Sequence, residues 1–183
     1  MTGRDDVEVR GSPIHGVGVF AKRAFSKGED LFMFNDERIV DDQHPLDAAK
    51  GESAVHCDWF PDHVILMGEP ERYLNHSCEP DCFARTDEEG RRWLVAYRDI
   101  DEGDELTHDY LIDAFDGDEW DCNCRVAGCR RHHIHDFFTL PDHKLREYLP
   151  LVSPWFREWK AEEILRVERR LGVTATECGR AFR

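Results

Sequence analysis

Through the first two-thirds of the chain the hydrophobic positions come in short bursts. These are "VEVR" (7–10), "GVGVFA" (16–21), "LFMF" (31–34), "HVILMG" (63–68), "CFART" (82–86) and "WLVAYR" (93–98). Runs of this length, rich in β-branched and aromatic residues and bounded by turn formers, predict strands. "KGED" (27–30) reads as a turn, "DEEG" (87–90) joins two runs as a hairpin, and "DEGDEL" (101–106) is a turn entering another strand. So many strands with so little helix between them predict small antiparallel sheets rather than a doubly wound sheet. Residues 41–60 are polar with scattered aromatics, and no structure is assigned to them. From 142 onward the period changes. "DHKLREYL" and "PWFREWKAEEILRVERRL" read as helices, with Pro154 suited to a first turn. Trp155, Trp159, Ile164, Val167 and Leu171 form a rough stripe expected to pack on the body of the domain. The class is mainly β with C-terminal helices, α+β overall.

Composition narrows the picture. The chain has 183 residues, 40% hydrophobic and 34% charged, which suits one domain with a short appendage. No apolar run nears the roughly 18 residues of a membrane helix, so no membrane association is expected. The start, "MTGRDDVEVRG", has no signal or transit character, giving an expected cytoplasmic address, or nuclear if the source has a nucleus. A net charge of −15 repels phosphate backbones, so direct nucleic-acid binding is not expected. The same charge attracts Lys/Arg-rich partners, though it also serves simply to solvate the surface.

Seven cysteines is an odd number, and three lie close together in "CNCRVAGC": Cys122, Cys124 and Cys129. Without a secretory signal, that clustering favours a metal over disulfides. Zinc fits a C-x-C-x4-C run, and Gly128 is expected to let the backbone fold back. A structural zinc needs a fourth ligand. His132, His133 and His135 in "RRHHIH" are local candidates, and Cys57, Cys78, Cys82 and Cys178 are distant ones. Residue chemistry does not choose among them. "NHS" (75–77) matches a glycosylation acceptor but reads as chance without a signal peptide.

Four motifs in order, "GVGVFAKRAFSKGE", "RYLNHSCEPDC", "WLVAYRDIDEGDELTHDY" and "CNCRVAGC", together resemble a SET-domain protein lysine methyltransferase with a post-SET zinc motif. The likeness runs from about residue 8 to about 130. It implies a SET β-clip fold with a threaded pseudoknot loop. The implied division is a tail (1–6), a SET domain (7–111), a post-SET zinc segment (112–138), a C-terminal helical appendage (139–172) and a tail (173–183). It also implies that Gly16, Val17, Gly18, Arg72, Tyr73, Asn75 and His76 hold S-adenosylmethionine. Tyr110, in "ELTHDY", takes the place of the catalytic tyrosine at the inner end of a lysine channel. Cys78 joins Cys122, Cys124 and Cys129 on one structural zinc, with the histidines at 132–135 the alternative to Cys78.

The implied reaction is in-line methyl transfer to a lysine amine in a basic protein such as a histone, another chromatin protein or a ribosomal protein. Only roughly one free lysine in a few thousand is neutral at pH 7; an apolar channel and the nearby sulfonium lower that pKa, so no dedicated base is required. His108 stands beside the channel where family members often carry an aromatic, and as a histidine it is expected to titrate near neutrality. It leaves the number of methyl groups added open. Asp81 replaces a frequent asparagine. With only about fifteen residues before Gly16, substrate choice is expected to come from the domain, residues 41–60 and the C-terminal helices. The alternative is an inactive, zinc-stabilised binding module; the retained motif residues favour the enzyme. The oligomeric state, a homodimer included, stays open.

Overall fold

The computed structural model describes residues 3–173; Cys178 and nearly all of the expected 173–183 tail lie outside that range. Twelve strands are formed. They are β1 (Val7–Gly11), β2 (Val17–Ala21), β3 (Asp30–Met33), β4 (Asp36–Val40), β5 (Cys57–Trp59), β6 (Val64–Met67), β7 (Asn75–His76), β8 (Cys82–Thr86), β9 (Arg92–Ala96), β10 (Glu105–His108), β11 (Glu119–Asp121) and β12 (His132–Ile134). They make four small sheets, ordered β1-β2-β10-β7, β3-β9-β8, β4-β6-β5 and β11-β12. Every pairing between them is antiparallel except one: β10 and β7 run parallel, with Thr107 opposite Asn75 and His108 opposite His76. Small antiparallel sheets were expected; the parallel pair was not.

The predicted hairpin β8–β9 forms, with Cys82 facing Ala96 and Thr86 facing Arg92. Its turn is organised by Asp87, whose carboxylate accepts from the amides of Glu89 and Arg91, the Arg91 Nε and the Trp93 indole. Strand alternation then puts Cys82, Leu94 and Ala96 into one core and Phe83 and Val95 into another. The first core lies under β1, β2, β3 and β10 and includes Val19, Leu31 and Leu106. The second is built with the C-terminal helices α1 (Asp142–Tyr148), α2 (Pro154–Trp159) and α3 (Ala161–Leu171). Buried on both faces, the hairpin fixes the two cores relative to each other.

Two expectations change. Within residues 41–60, left unassigned, short 3-10 turns form at Ala48–Lys50 and Ala54–His56, and β5 pairs with β6. The long helix expected from 154 to 171 is broken at Lys160, where φ is −104° and ψ 29°. Phe156 and Ile164, eight residues apart, would lie about 80° apart around a straight helix. The break lets both enter one core, at 0% and 1% exposure. Ser153 caps α2 through its hydroxyl, with Pro154 in the first turn as predicted. The buried face is therefore Phe156, Ile164, Val167 and Leu171, while Trp159 stays exposed and meets the edge of Phe115. No helix here is long and apolar enough to cross a membrane.

Phe156→Ala should cost about 3–5 kcal/mol, read as a lower urea midpoint at unchanged slope. A loss under about 1 kcal/mol would mean that α2 does not hold the second core together.

Candidate active and metal site

The sheet β1-β2-β10-β7 sets three distant motifs side by side: the Gly16–Gly18 segment on β2, "ELTH" on β10 and Asn75–His76 on β7. Because β7 and β10 are parallel, both chains leave the sheet at the same end. Cys78, two residues past His76, and Tyr110, two past His108, therefore emerge together. The pairing extends past the strands, with Ser77 N donating to His108 O and Asp81 N to Thr107 O.

Asn75 is the anchor of this arrangement. Its Nδ2 donates to Val17 O (2.9 Å), His15 O (3.3 Å), Ser12 Oγ (3.1 Å) and Glu105 Oε1 (2.7 Å). Ser12 Oγ also donates to the Glu105 carboxylate. Glu105 thus sits beneath the glycine segment, and a Cβ on Gly18 would overlap its carboxylate. The atoms that a side chain at Gly18 would meet thus belong to the protein itself. Gly16 differs: its φ of +49° needs glycine, and the space beside it is open. Val17 is exposed at its side.

Tyr110 leans over the end of β7. Its hydroxyl donates to Leu74 O at 2.6 Å, while the ring edge stays partly exposed. Around the ring stand His108 (4.9 Å between centroids), His76 (5.3 Å) and Trp120 (6.4 Å). Burial, with a smaller push from Glu105, raises the Tyr110 phenol to about 12. Burial lowers His108 to about 4, so this ring is neutral at pH 7 and does not titrate near neutrality as expected. Trp120 went unnoticed in the sequence. It comes from β11, stacks on His133 at 4.8 Å and meets His76 edge-on; its one signal was its place two residues before Cys122.

The sulfurs of Cys78, Cys122, Cys124 and Cys129 all lie within 4.8 Å of one another. Four thiols in one cluster are a donor set suited to a tetrahedral structural zinc. Burial alone would raise the Cys124 thiol. The N–H groups of Cys78 and Val126 and the thiols of Cys122 and Cys129 more than offset it, bringing it down to about 7. The loop that delivers these thiols turns through Arg125 (φ 62°) and Arg131 (φ 73°), not through Gly128 as expected. Gly128 is needed for space: its N–H donates to Glu79 Oε1 at 2.9 Å, where a Cβ would overlap. Asn123 ties the same loop to the glycine segment through Ile14 O.

A second group overlaps the first: His76, Cys78, Cys122 and His133 are equally close. The heavy-atom geometry tells against His76 as a ligand. Tyr110 N–H donates to its Nδ1 at 3.1 Å, and Asp109 Oδ1, at 3.6 Å, is too far to take a proton from that nitrogen. Burial, reinforced by His133 and Arg130, lowers His76 to about 2, keeping it neutral. A neutral ring accepting at Nδ1 carries its proton on Nε2, and Nε2 faces Cys78 Sγ at 3.5 Å. The ring is therefore an N–H donor to sulfur. His133 Nε2 approaches the same sulfur at 3.4 Å. Of the other fourth-ligand candidates, Cys57 and Cys82 are buried in β5 and β8, outside both groups. His132 pairs with Glu119 and Asp121, and His135 with Asp116.

Arg72 and Tyr73 form a turn against β2. Arg72 Nη2 pairs with Glu37 at 2.6 Å, while its buried Nε has no partner among the described residues. Tyr73 OH donates to Glu69. A separate groove between Phe34, Phe60 and Trp155 shares no residue with this site; Arg92 lies over both phenylalanines and pairs with Asp36 and Asp58.

The ordinary histidine pKa of 6.5 drops to about 4 for folded His108. Between those values the unfolded chain binds a proton that the folded chain refuses, so stability is full above pH 6.5 and falls as pH drops toward 4. His108→Phe removes this share, and its thermal midpoint should fall less than wild type's between about pH 7 and about pH 5. Equal falls would contradict a folded-state His108 that stays neutral.

Comparison with known proteins agrees with this geometry. Residues 16–111, more than half of the chain, match the SET domain family model. Human histone-lysine N-methyltransferase 2B is 33% identical over 144 residues, 71% of this chain but 5% of that protein. Arabidopsis thaliana histone-lysine N-methyltransferase ASHH3 is 31% identical over 159 residues, 75% of this chain and 43% of that one. The H3 lysine-4 specific enzyme of Schizosaccharomyces pombe is 32% identical over 130 residues, 65% of this chain and 14% of that one. The chain thus spans less than half the length of each of these relatives. With the glycine segment, the Asn-His strand and the tyrosine strand adjacent in one sheet, and a matching model across all three, the chain belongs to the SET domain family.

Proposed function

We propose that the protein transfers methyl groups from S-adenosylmethionine to lysine side chains of a basic protein, a histone, other chromatin protein or ribosomal protein among them. One observation carries the reading: Gly16–Gly18, Asn75–His76 and Tyr110 converge at one end of one sheet, with a four-thiol cluster against them. Methyl-transferase relatives and a net charge of −15, which attracts basic partners, support it.

The chain's donors fit both groups the reaction needs. The unpartnered Arg72 Nε–H is suited to an incoming carboxylate, and the open side of Gly16 and Val17 admits a bound molecule close to the backbone. Cys78, Cys122, Cys124 and Cys129 would hold one zinc, whose binding energy is folding energy for the 122–135 segment. When bound, S-adenosylmethionine supplies an electrophilic methyl on a sulfonium.

The protein's part is positioning and desolvation. A lysine amine held beside Tyr110 would be placed for in-line attack on that methyl. The Tyr110 phenol keeps its proton at pH 7, since burial holds it near 12. Its hydroxyl, fixed on Leu74 O, offers an oxygen to orient the amine. Neutral His108 and His76 add no charge around that hydroxyl, and removal from water favours the uncharged amine over ammonium. Alignment of the two reactants supplies several kcal/mol of the barrier lowering.

Metal analysis should find one zinc per chain, lost in Cys124→Ser and kept in His133→Ala. Loss in His133→Ala would move the ligand set to the histidine-containing group. With radiolabelled S-adenosylmethionine and mixed core histones and ribosomal proteins, wild type should leave acid-stable label on lysine. Tyr110→Phe should bind S-adenosylmethionine normally and lose at least roughly a hundredfold in transfer; full turnover by that variant would overturn the role of Tyr110.

A further inference from the structure

Asp109, the residue before Tyr110, is fully buried. Its Oδ1 accepts from Leu111 N at 3.1 Å, holding the turn that carries Tyr110. Its Oδ2 accepts from two remote donors. One is Arg130 Nη2 at 2.6 Å, from the residue after Cys129. The other is the hydroxyl of Tyr148 at 3.1 Å, from the last turn of α1. Tyr148 is itself completely buried.

The direction of the Tyr148 bond is determined. Lys144 Nζ lies 3.2 Å from the Tyr148 oxygen, and an ammonium can only donate. The hydroxyl oxygen therefore accepts from Lys144 and its proton points to Asp109. Glu147 holds Lys144 in place at 2.9 Å. A fully buried carboxylate that loses one of its donors is costly, because no water replaces the bond. The backbone it anchors leads straight into Tyr110, whose amide and hydroxyl are each committed to β7. The C-terminal helix thus reaches the reacting end of the sheet through one side chain.

We infer that Tyr148, acting through Asp109, is a positioning residue for Tyr110, so that α1 is part of the methyl-transfer apparatus. This rests on Tyr110 being the residue at the reacting atoms. It also lies outside the 16–111 segment of the family match.

Tyr97 supplies the control. Its hydroxyl donates to Glu147 Oε1 at 2.7 Å, so from just past β9 it docks the same helix at a point further along the chain of bonds, with Glu147, Lys144 and Tyr148 between it and Asp109. Tyr148→Phe should lower kcat roughly tenfold, equivalent to about 1.4 kcal/mol of barrier, with the KM for S-adenosylmethionine unchanged. Tyr97→Phe, further from Asp109 in that chain, should lower thermal stability comparably and lower kcat by much less than Tyr148→Phe. The chain has four tyrosines, so isotope-labelled tyrosine gives a spectrum in which the Tyr110 amide can be followed. Tyr148→Phe should shift that signal and speed its hydrogen exchange; Tyr97→Phe should do so distinctly less. Lys144→Met, which leaves the buried ring in place, should shift it in the same direction by less, and serves if Tyr148→Phe folds poorly. An unchanged Tyr110 amide in Tyr148→Phe and Lys144→Met, or an equal response in Tyr97→Phe, overturns the inference. If wild type labels no lysine at all, the proposed function fails while the amide measurement still decides this one.

Discussion

The parallel pairing of β7 with β10 is the constraint on which the rest of the structure depends. Two residues on each strand, Asn75–His76 and Thr107–His108, are enough to bring segments separated by the whole β8–β9 hairpin into one register. A parallel pair cannot be closed by a tight turn and needs a long connection. That connection here is the hairpin that also joins the two cores. The shared direction sends Cys78 and Tyr110 out at the same end, which is why a metal-suited cluster and the Tyr110 phenol are neighbours. Asn75 locks the other side, since its amide is spent on the glycine segment and Glu105.

Charge is distributed around the site in a consistent way. The rings nearest the Tyr110 hydroxyl, His76 and His108, are kept neutral by burial. The ionic groups, Asp109 and Arg130, stand behind the tyrosine and bond to each other. His76 links the two regions without carrying charge: it accepts from the Tyr110 amide and faces the Cys78 sulfur with its other nitrogen. Hydrogen bonds from rings and amides to a thiolate tune and orient a metal site as its outer shell. A disturbance at the thiols therefore has a short route to Tyr110, through one imidazole.

The C-terminal helices read in the sequence as a packed stripe, and they do pack. What the stripe did not convey is where they reach. Tyr148 and Glu147 lie on one turn of α1, and one touches Asp109 while the other takes Tyr97. The break at Lys160 has no proline or glycine to announce it; it follows from the demand that Phe156 and Ile164 enter the same core.

The sequence by itself determined seven of the twelve described strands, β1, β2, β3, β6, β8, β9 and β10, because alternation and turn residues are local: 82–86 and 92–96 form the hairpin that the 87–90 turn implies. It also determined the family, through four ordered motifs, and offered Cys78 among the partners for Cys122, Cys124 and Cys129. Tertiary structure alone decided the rest. A Cβ at Gly18 would overlap the Glu105 carboxylate, and one at Gly128 would displace the end of Glu79, contacts between residues far apart in the chain. Trp120, Arg130 and Tyr148 carry no motif, and Asp109, though inside "ELTHDY", was given no role by it, since these roles come from neighbours brought in by folding. His108 looked titratable as a residue type, yet burial removes the water that would stabilise its cation. Local pattern fixes what each segment is; only packing fixes which atoms meet and which charges water can still reach.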